Sequence, residues 1–156
     1  TYVEFTGAGT MRFADFVNGG AARDVLERII VKKHDYRASF QCLRNSATDF
    51  STLNACAALW DGQWHLAVGA RPKKAKFLEG EDLGLPARFS PEELDAACQR
   101  ARDLNYGTDR RASAAYRAEL AEVLSRRAIL EAAAQQDVAT ELRLAAEAAK
   151  PKGVSA

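Results

Sequence analysis

Two alternating stretches stand out in the middle of the chain. Leu53, Ala55, Ala57 and Leu59 alternate with Asn54, Cys56, Ala58 and Trp60. Trp64, Leu66, Val68 and Ala70 then alternate with Gln63, His65, Ala67 and Gly69. A period of two is the mark of a strand with one face buried. Between the stretches lies Asp61-Gly62, a dipeptide that tolerates the positive φ angles of a two-residue hairpin turn. The pattern predicts an antiparallel hairpin whose small residues let helices lie close. Arg71-Pro72 ends it, because proline has no N–H for the ladder.

The flanks are less regular. Val25–Val31 is β-branched at its end and reads as a strand. Residues 36–45 fit a helix or a strand, since Tyr36, Phe40 and Leu43 also share a helical face. Ala75–Glu79 reads as a further strand. Residues 1–20 hold a short strand candidate at Met11–Phe13, then Asn18-Gly19-Gly20, a strong break. This segment is apolar in patches and too short to fold alone.

Helical periodicity takes over after residue 90. Ser90-Pro91-Glu92-Glu93 is a helix start, with serine as N-cap, proline at the first helical position and glutamate at the third. Leu94, Ala97, Cys98, Ala101 and Leu104 mark its buried face. A second helix is predicted over Ser113–Gln135, burying Tyr116, Leu120, Val123, Leu124 and Leu130, with Glu122 and Arg126 as an i,i+4 pair. A third is predicted over Val138–Ala149, ended by Pro151 and Gly153. Together these elements give an α+β two-layer sandwich: a small antiparallel sheet packed by helices, with a helical C-terminal extension.

Composition narrows the function classes. Apolar residues make up 47% and charged residues 28% of the 156, a globular mixture. With 22 Lys and Arg against 21 Asp and Glu, the net charge of +1 argues against a basic nucleic-acid binder. No apolar run is long enough to span a bilayer. Thr-Tyr-Val-Glu-Phe lacks the basic and apolar regions of a signal peptide. Three cysteines, Cys42, Cys56 and Cys98, contain no C-x-x-C pair, so neither a disulfide framework nor a self-sufficient iron–sulfur site is expected. They read as buried thiols in a cytoplasmic protein. His34 and His65 have no ligand cluster around them, so no metal site is expected. Phosphate-loop, dinucleotide and nucleophile-elbow motifs are missing.

The remaining polar groups mostly read as structure. Asp109 and Ser113 read as caps of the following helix. Asp49 reads as a turn cap. Arg71, Lys73, Lys74 and Lys76 read as a solvated strand edge. Trp60 and Trp64 read as cross-strand packing beside the hairpin turn.

Three blocks carry a resemblance. Arg44-Asn45-Ser46-Ala47-Thr48-Asp49-Phe50 leads into the first hairpin strand. Leu66–Pro72 forms a small-residue strand ending in proline. Asp109-Arg110-Arg111-Ala112-Ser113-Ala114-Ala115-Tyr116-Arg117 reads as D-x-R-A-S-A-x-Y-R. In this order they resemble the C-terminal domain of the FAD-binding (medium) subunit of molybdenum hydroxylases, the carbon monoxide dehydrogenase and xanthine dehydrogenase flavoprotein family. The resemblance covers about residues 23–130.

The resemblance implies the following. Residues 1–22 correspond to the tail of a preceding FAD-binding domain, 23–131 to the C-terminal domain, and 132–156 to an Ala-rich extension. The cofactor is FAD, held mainly by that upstream domain and only weakly by this chain. The partners are that domain and the molybdenum-cofactor and iron–sulfur subunits, with self-association through residues 1–22 as a substitute in its absence. The chain alone is then not a catalyst. It covers the flavin and supports assembly for electron transfer from iron–sulfur clusters to FAD. Leu26 and Gln41 correspond to the leucine and the basic residue that approach the flavin in the xanthine dehydrogenase branch. Gln41 can hydrogen-bond a flavin carbonyl but carries no charge. The rival reading is a free-standing interaction module without redox activity, binding through the Lys73 cluster and the Ala-rich helix.

Overall fold

The computed structural model describes residues 1–20, 24–33 and 36–148. The chain divides into two compact units, Thr1–Asp35 and Tyr36–Ala156.

In the first unit, β1 (Tyr2–Phe5) lies between β2 (Gly9–Arg12) and β3 (Leu26–Ile30), all antiparallel. The β1–β2 turn is held from outside itself. Asp24 Oδ2 accepts from the N–H of Gly7 at 2.9 Å and of Ala8 at 2.8 Å. These bonds, with one from Val25 N–H, hold the Asp24 carboxyl below its usual range. Val3 and Phe5 are buried. Phe16, in the irregular turn after α1 (Phe13–Asp15), brings its ring centroid to 5.3 Å from that of Phe5. The segment expected to need a partner thus finds one in β3.

The second unit is a four-stranded antiparallel sheet in the order β4 (Arg37–Leu43), β5 (Leu53–Trp60), β6 (Gln63–Gly69), β7 (Lys76–Glu79). The ambiguous residues 36–45 become the edge strand β4, because β5 offers a full ladder from Leu43↔Leu53 to Arg37↔Leu59. The hairpin closes as predicted: Trp60 faces Gln63, and Asp61 and Gly62 take φ of 50° and 74°.

Three helices follow: α2 (Gly80–Leu83), α3 (Pro91–Arg102) and α4 (Ala114–Ala148). A reciprocal capping box starts α3: Ser90 Oγ accepts from Glu93 N–H at 3.3 Å, and Glu93 Oε2 accepts from Ser90 N–H at 2.7 Å. Ser113 starts α4 by accepting from Tyr116 N–H at 3.2 Å. The two predicted C-terminal helices are one, continuous to Ala148, since residues 136–137 contain neither glycine nor proline to interrupt it. The stop signals Pro151 and Gly153 lie outside the described residues.

The core lies between one sheet face and α3 and α4. Leu53, Ala55, Ala57, Leu59, Trp64, Leu66, Val68 and Leu78 meet Leu94, Ala97, Cys98 and Ala101. The buried stripe of α4 differs in part from the predicted one. Leu124 is buried and Leu120 partly so, as predicted, but Tyr116, Val123 and Leu130 are exposed, while Ala121, Ser125, Ala128, Ile129 and Ala132 face inward. The sheet presents alanines in its centre, so a helix seats most closely with its own small residues. Glu122 and Arg126 do not pair with each other: Arg102 bonds Glu122 at 2.8 Å, and Arg126 bonds Asp95 at 2.6 Å, fastening α3 to α4.

Candidate functional site

Among the described residues of this unit, the helices lie on one sheet face, and the other is the open face. Phe40, Cys56, Ala67 and Phe77 form one cross-strand row on it. Phe40 and Phe77 are exposed. Trp60 lies on this face and Trp64 in the core, so the two tryptophans do not pack together. Trp60 instead stacks on His65 with centroids 3.4 Å apart and planes 6° apart, and Phe77 stacks on the imidazole at 5.6 Å. His65 Nδ1 lies 3.1 Å from Glu79 Oε2. Burial pushes the imidazole's pKa down, opposed by the Glu79 charge. Of the cysteines, only Cys98 is buried, its thiol pushed up to about 11 by desolvation. Cys42 and Cys56 are half-buried in the strands, because alternate positions of β4 and β5 point away from the helices.

The Asp109–Arg117 block folds around a buried guanidinium. Arg117 donates through Nε to Thr52 O at 3.0 Å, and through Nη1 to Gly107 O at 2.8 Å and Ala112 O at 2.7 Å. Its Nη2 donates to Asp109 Oδ1 at 2.6 Å. The same oxygen accepts from the N–H groups of Arg111 and Ala112. Arg117 foremost, then the Arg111 N–H, holds the Asp109 carboxyl at about 2. Asp109 is thus a cap, as expected, and also the counter-ion of a buried arginine. Asp49 takes Arg111 at 3.1 Å besides capping Phe50 N–H at 2.7 Å. An open cleft of about 360 Å³ lies beside this block, between Phe50, Asn54, Pro72, Asp109 and Arg111. Asn54 lies so close over Gly69 that a Cβ there would sit 2.5 Å from its Oδ1, so a larger residue would have to push the Asn54 side chain aside.

The expected solvated edge is partly a structural tie. Arg71 is buried and donates to Lys74 O at 2.9 Å and to Asn105 O. Lys73 and Lys76 are exposed, whereas Arg71 joins the β6–β7 loop to the end of α3.

Leu26 sits on β3 opposite Phe5, with its side chain exposed. Gln41 sits on β4, on the helix-covered side, half-buried at the sheet edge. Its Nε2 donates to Glu131 Oε2 of α4 and, at 3.3 Å, to Ser39 Oγ. Ser39 Oγ in turn donates to Glu131 Oε2 at 2.8 Å. One turn further along α4, Gln135 brackets Ala38, accepting from its N–H at 3.2 Å and donating to its C=O at 3.0 Å. Glu131 and Gln135 escaped sequence reasoning. Their i,i+4 spacing on one helix face was the available signal, but nothing local connects it to β4.

The family described as CO dehydrogenase flavoprotein C-terminal domain matches residues 38–132. The chain belongs to this family. The match begins in β4 and ends in α4, so it takes in the sheet, α3, the Arg117 hub, Gln41 and Glu131 of this flavoprotein C-terminal domain. Leu26 lies outside it. Among solved structures, quinoline 2-oxidoreductase from Pseudomonas putida 86 is similar with a TM-score of 0.68 at 21% identity, over 86% of this chain and 52% of its own. Carbon monoxide dehydrogenase from Hydrogenophaga pseudoflava, in a form lacking the Mo-pyranopterin moiety of the molybdenum cofactor, gives 0.63 at 20%, over 85% and 52%. A cyanide-inactivated Cu,Mo-CO dehydrogenase gives 0.53 at 22%, over 67% and 39%. These likenesses show the α+β fold, and the chain spans about half the length or less of the structures it matches. Comparison with curated proteins gives no match. Among the described residues, no helix is long and apolar enough to cross a membrane, and no group of three or more His, Cys, Asp or Glu is placed to hold a metal.

Proposed function

We propose that the chain is the C-terminal part of an FAD-binding subunit of a molybdenum hydroxylase, working in the cytoplasm. It closes over one edge of the flavin and supports the assembly through which electrons pass from iron–sulfur clusters to FAD. The observation that carries this reading is the family match over residues 38–132, from β4 through the sheet and α3 into α4.

The residues present suit a peripheral contact with FAD. Leu26 offers an exposed apolar side chain, of the kind that packs on a ring face or edge. Gln41 has its amide nitrogen engaged within the chain, leaving its carbonyl oxygen for an incoming group. FAD, when bound, would supply the electron-accepting chemistry; Gln41 would orient its edge by a hydrogen bond, and Leu26, in the other unit, is read separately as apolar cover. The apolar row with Phe40 and Phe77 offers a surface to the rest of the subunit or to a partner chain.

The test is a pair of flavin titrations. The isolated chain, titrated with FAD and followed by flavin fluorescence, should bind only weakly. Joined to the FAD-binding domain of such a subunit, it should shield the flavin from iodide quenching. Submicromolar FAD affinity of the chain alone, or unchanged quenching in the joined protein, overturns the reading.

A further inference from the structure

We propose that Glu131 is a positioning residue for Gln41: it turns the glutamine's amide nitrogen inward and leaves its carbonyl oxygen as the outward group of the β4 edge. The ligand recognised there therefore presents an N–H donor. The proposal rests on the reading of Gln41 as a flavin-edge residue and sharpens it, because it reverses the polarity expected from the sequence. A basic residue, or a glutamine offering its NH2, would meet a ring carbonyl. A glutamine held in this way meets a ring N–H.

The argument is one of satisfiability. Ser39 is buried, and its hydroxyl has a single hydrogen, which goes to Glu131 Oε2. Ser39 Oγ therefore faces Gln41 as an acceptor. Glu131 Oε2, a carboxylate oxygen, also faces Gln41 as an acceptor. Two acceptors converge on one end of the amide. Flipping the amide would set its carbonyl oxygen against a carboxylate oxygen, which is repulsive, and the Ser39 hydroxyl could meet it favourably only by giving up its own bond to Glu131. Only the nitrogen fits inward, and a bond to an ionised acceptor is stronger than one between neutral groups. The Gln135–Ala38 pair one turn away ties the same stretch of α4 to β4, so Glu131 is delivered by an anchored helix.

The electrostatic consequence follows. An acceptor backed by a carboxylate disfavours added electron density on a neighbouring ring, whereas the basic residue of the xanthine dehydrogenase branch favours it. This chain's β4 edge should therefore hold a flavin at a lower midpoint potential than a version in which Gln41 is free to turn.

The test has two arms. In the full chain, NMR of the Gln41 side-chain NH2 reads the lock directly. Exchange with water should be slow in the wild type, fast in Glu131→Ala, and intermediate in Ser39→Ala. Slow exchange should be largely restored in Glu131→Gln, whose amide oxygen still accepts. The backbone amides of β5 and β6 report that each variant is folded. In the FAD-bearing subunit, Glu131→Ala should raise the flavin midpoint potential, and Gln41→Ala should abolish that difference. Unchanged NH2 exchange in a folded Glu131→Ala overturns the proposal. So does a potential that responds to Gln41→Ala but not to Glu131→Ala. A potential indifferent to Gln41→Ala, with the NMR lock intact, overturns instead the flavin reading of this edge.

Discussion

Arg117 and Asp109 meet at 2.6 Å across the start of α4, with the guanidinium 1% exposed and the carboxylate one-third exposed. The pair is therefore asymmetric. The arginine has left water and depends on fixed acceptors, three of them backbone carbonyls of Thr52, Gly107 and Ala112. These come from the β4–β5 loop, the loop after α3 and the turn before α4. One side chain thus ties both ends of the α3–α4 connection to the β4–β5 loop, and the D-x-R-A-S-A-x-Y-R block is the local sequence of that joint.

Removing this guanidinium should be costly. Arg117→Ala leaves the carbonyls of Thr52, Gly107 and Ala112 without their donor. A buried acceptor left unpaired costs about 1–3 kcal/mol. Urea unfolding should show the midpoint falling accordingly, and Arg117→Lys should recover only part of it, since an ammonium cannot reach four acceptors in a planar fork. A wild-type midpoint in Arg117→Ala would refute the hub.

Acid should weaken the same joint. Asp109 titrates at about 2 in the folded chain against an ordinary value of 3.8. A depressed folded pKa contributes stability that is complete above the unfolded value and is lost as pH falls through the folded one. The loss from this residue should therefore fall between about pH 4 and pH 2. Asp109→Asn should flatten that part of the stability–pH curve, measured by urea unfolding at stepped pH. A wild-type acid slope in the Asp109→Asn variant would place the effect elsewhere.

His65 should respond in a higher window. Its folded pKa lies below the ordinary 6.5, chiefly through desolvation between Trp60 and Phe77. The folded state therefore prefers the neutral ring, and stability should decline as pH drops below 6.5. NMR titration of the His65 ring protons should give a midpoint under that of a free histidine. Glu79→Gln should lower it further by removing the opposing charge. A midpoint at or above 6.5 would mean that Glu79 dominates.

Leu66 reports on the core. It is fully buried, opposite Ala57 on β5 and Leu78 on β7. Leu66→Ala should cost about 2–5 kcal/mol, as expected for a large cavity-forming change in a packed site. Ala67→Ser, one residue on and facing the open side, should have a far smaller effect. Equal urea midpoints for the two variants would contradict the assignment of faces.

Features that depend on near neighbours were legible along the chain. Asp61-Gly62 and the alternation around it specify a hairpin and its register, because turn dihedrals and a period of two are local properties. Ser90-Pro91-Glu92-Glu93 specifies a helix start for the same reason. Features that wait on a distant partner were settled by packing. Residues 36–45 suited either element until β5 supplied a ladder. The buried stripe of α4 was settled by the sheet it packs on: Leu124 and Ile129 go inward with Ala121, Ala128 and Ala132, and Tyr116, Val123 and Leu130 stay outside. Arg117 stood in the sequence only as the last residue of the Asp109–Arg117 block until folding brought Thr52 O to it across 65 positions. Gln41 could be named from a resemblance, but its orientation could not. The carboxylate that orients it stands 90 positions away, and a hydrogen bond's direction is set by where the acceptor ends up, which only packing decides.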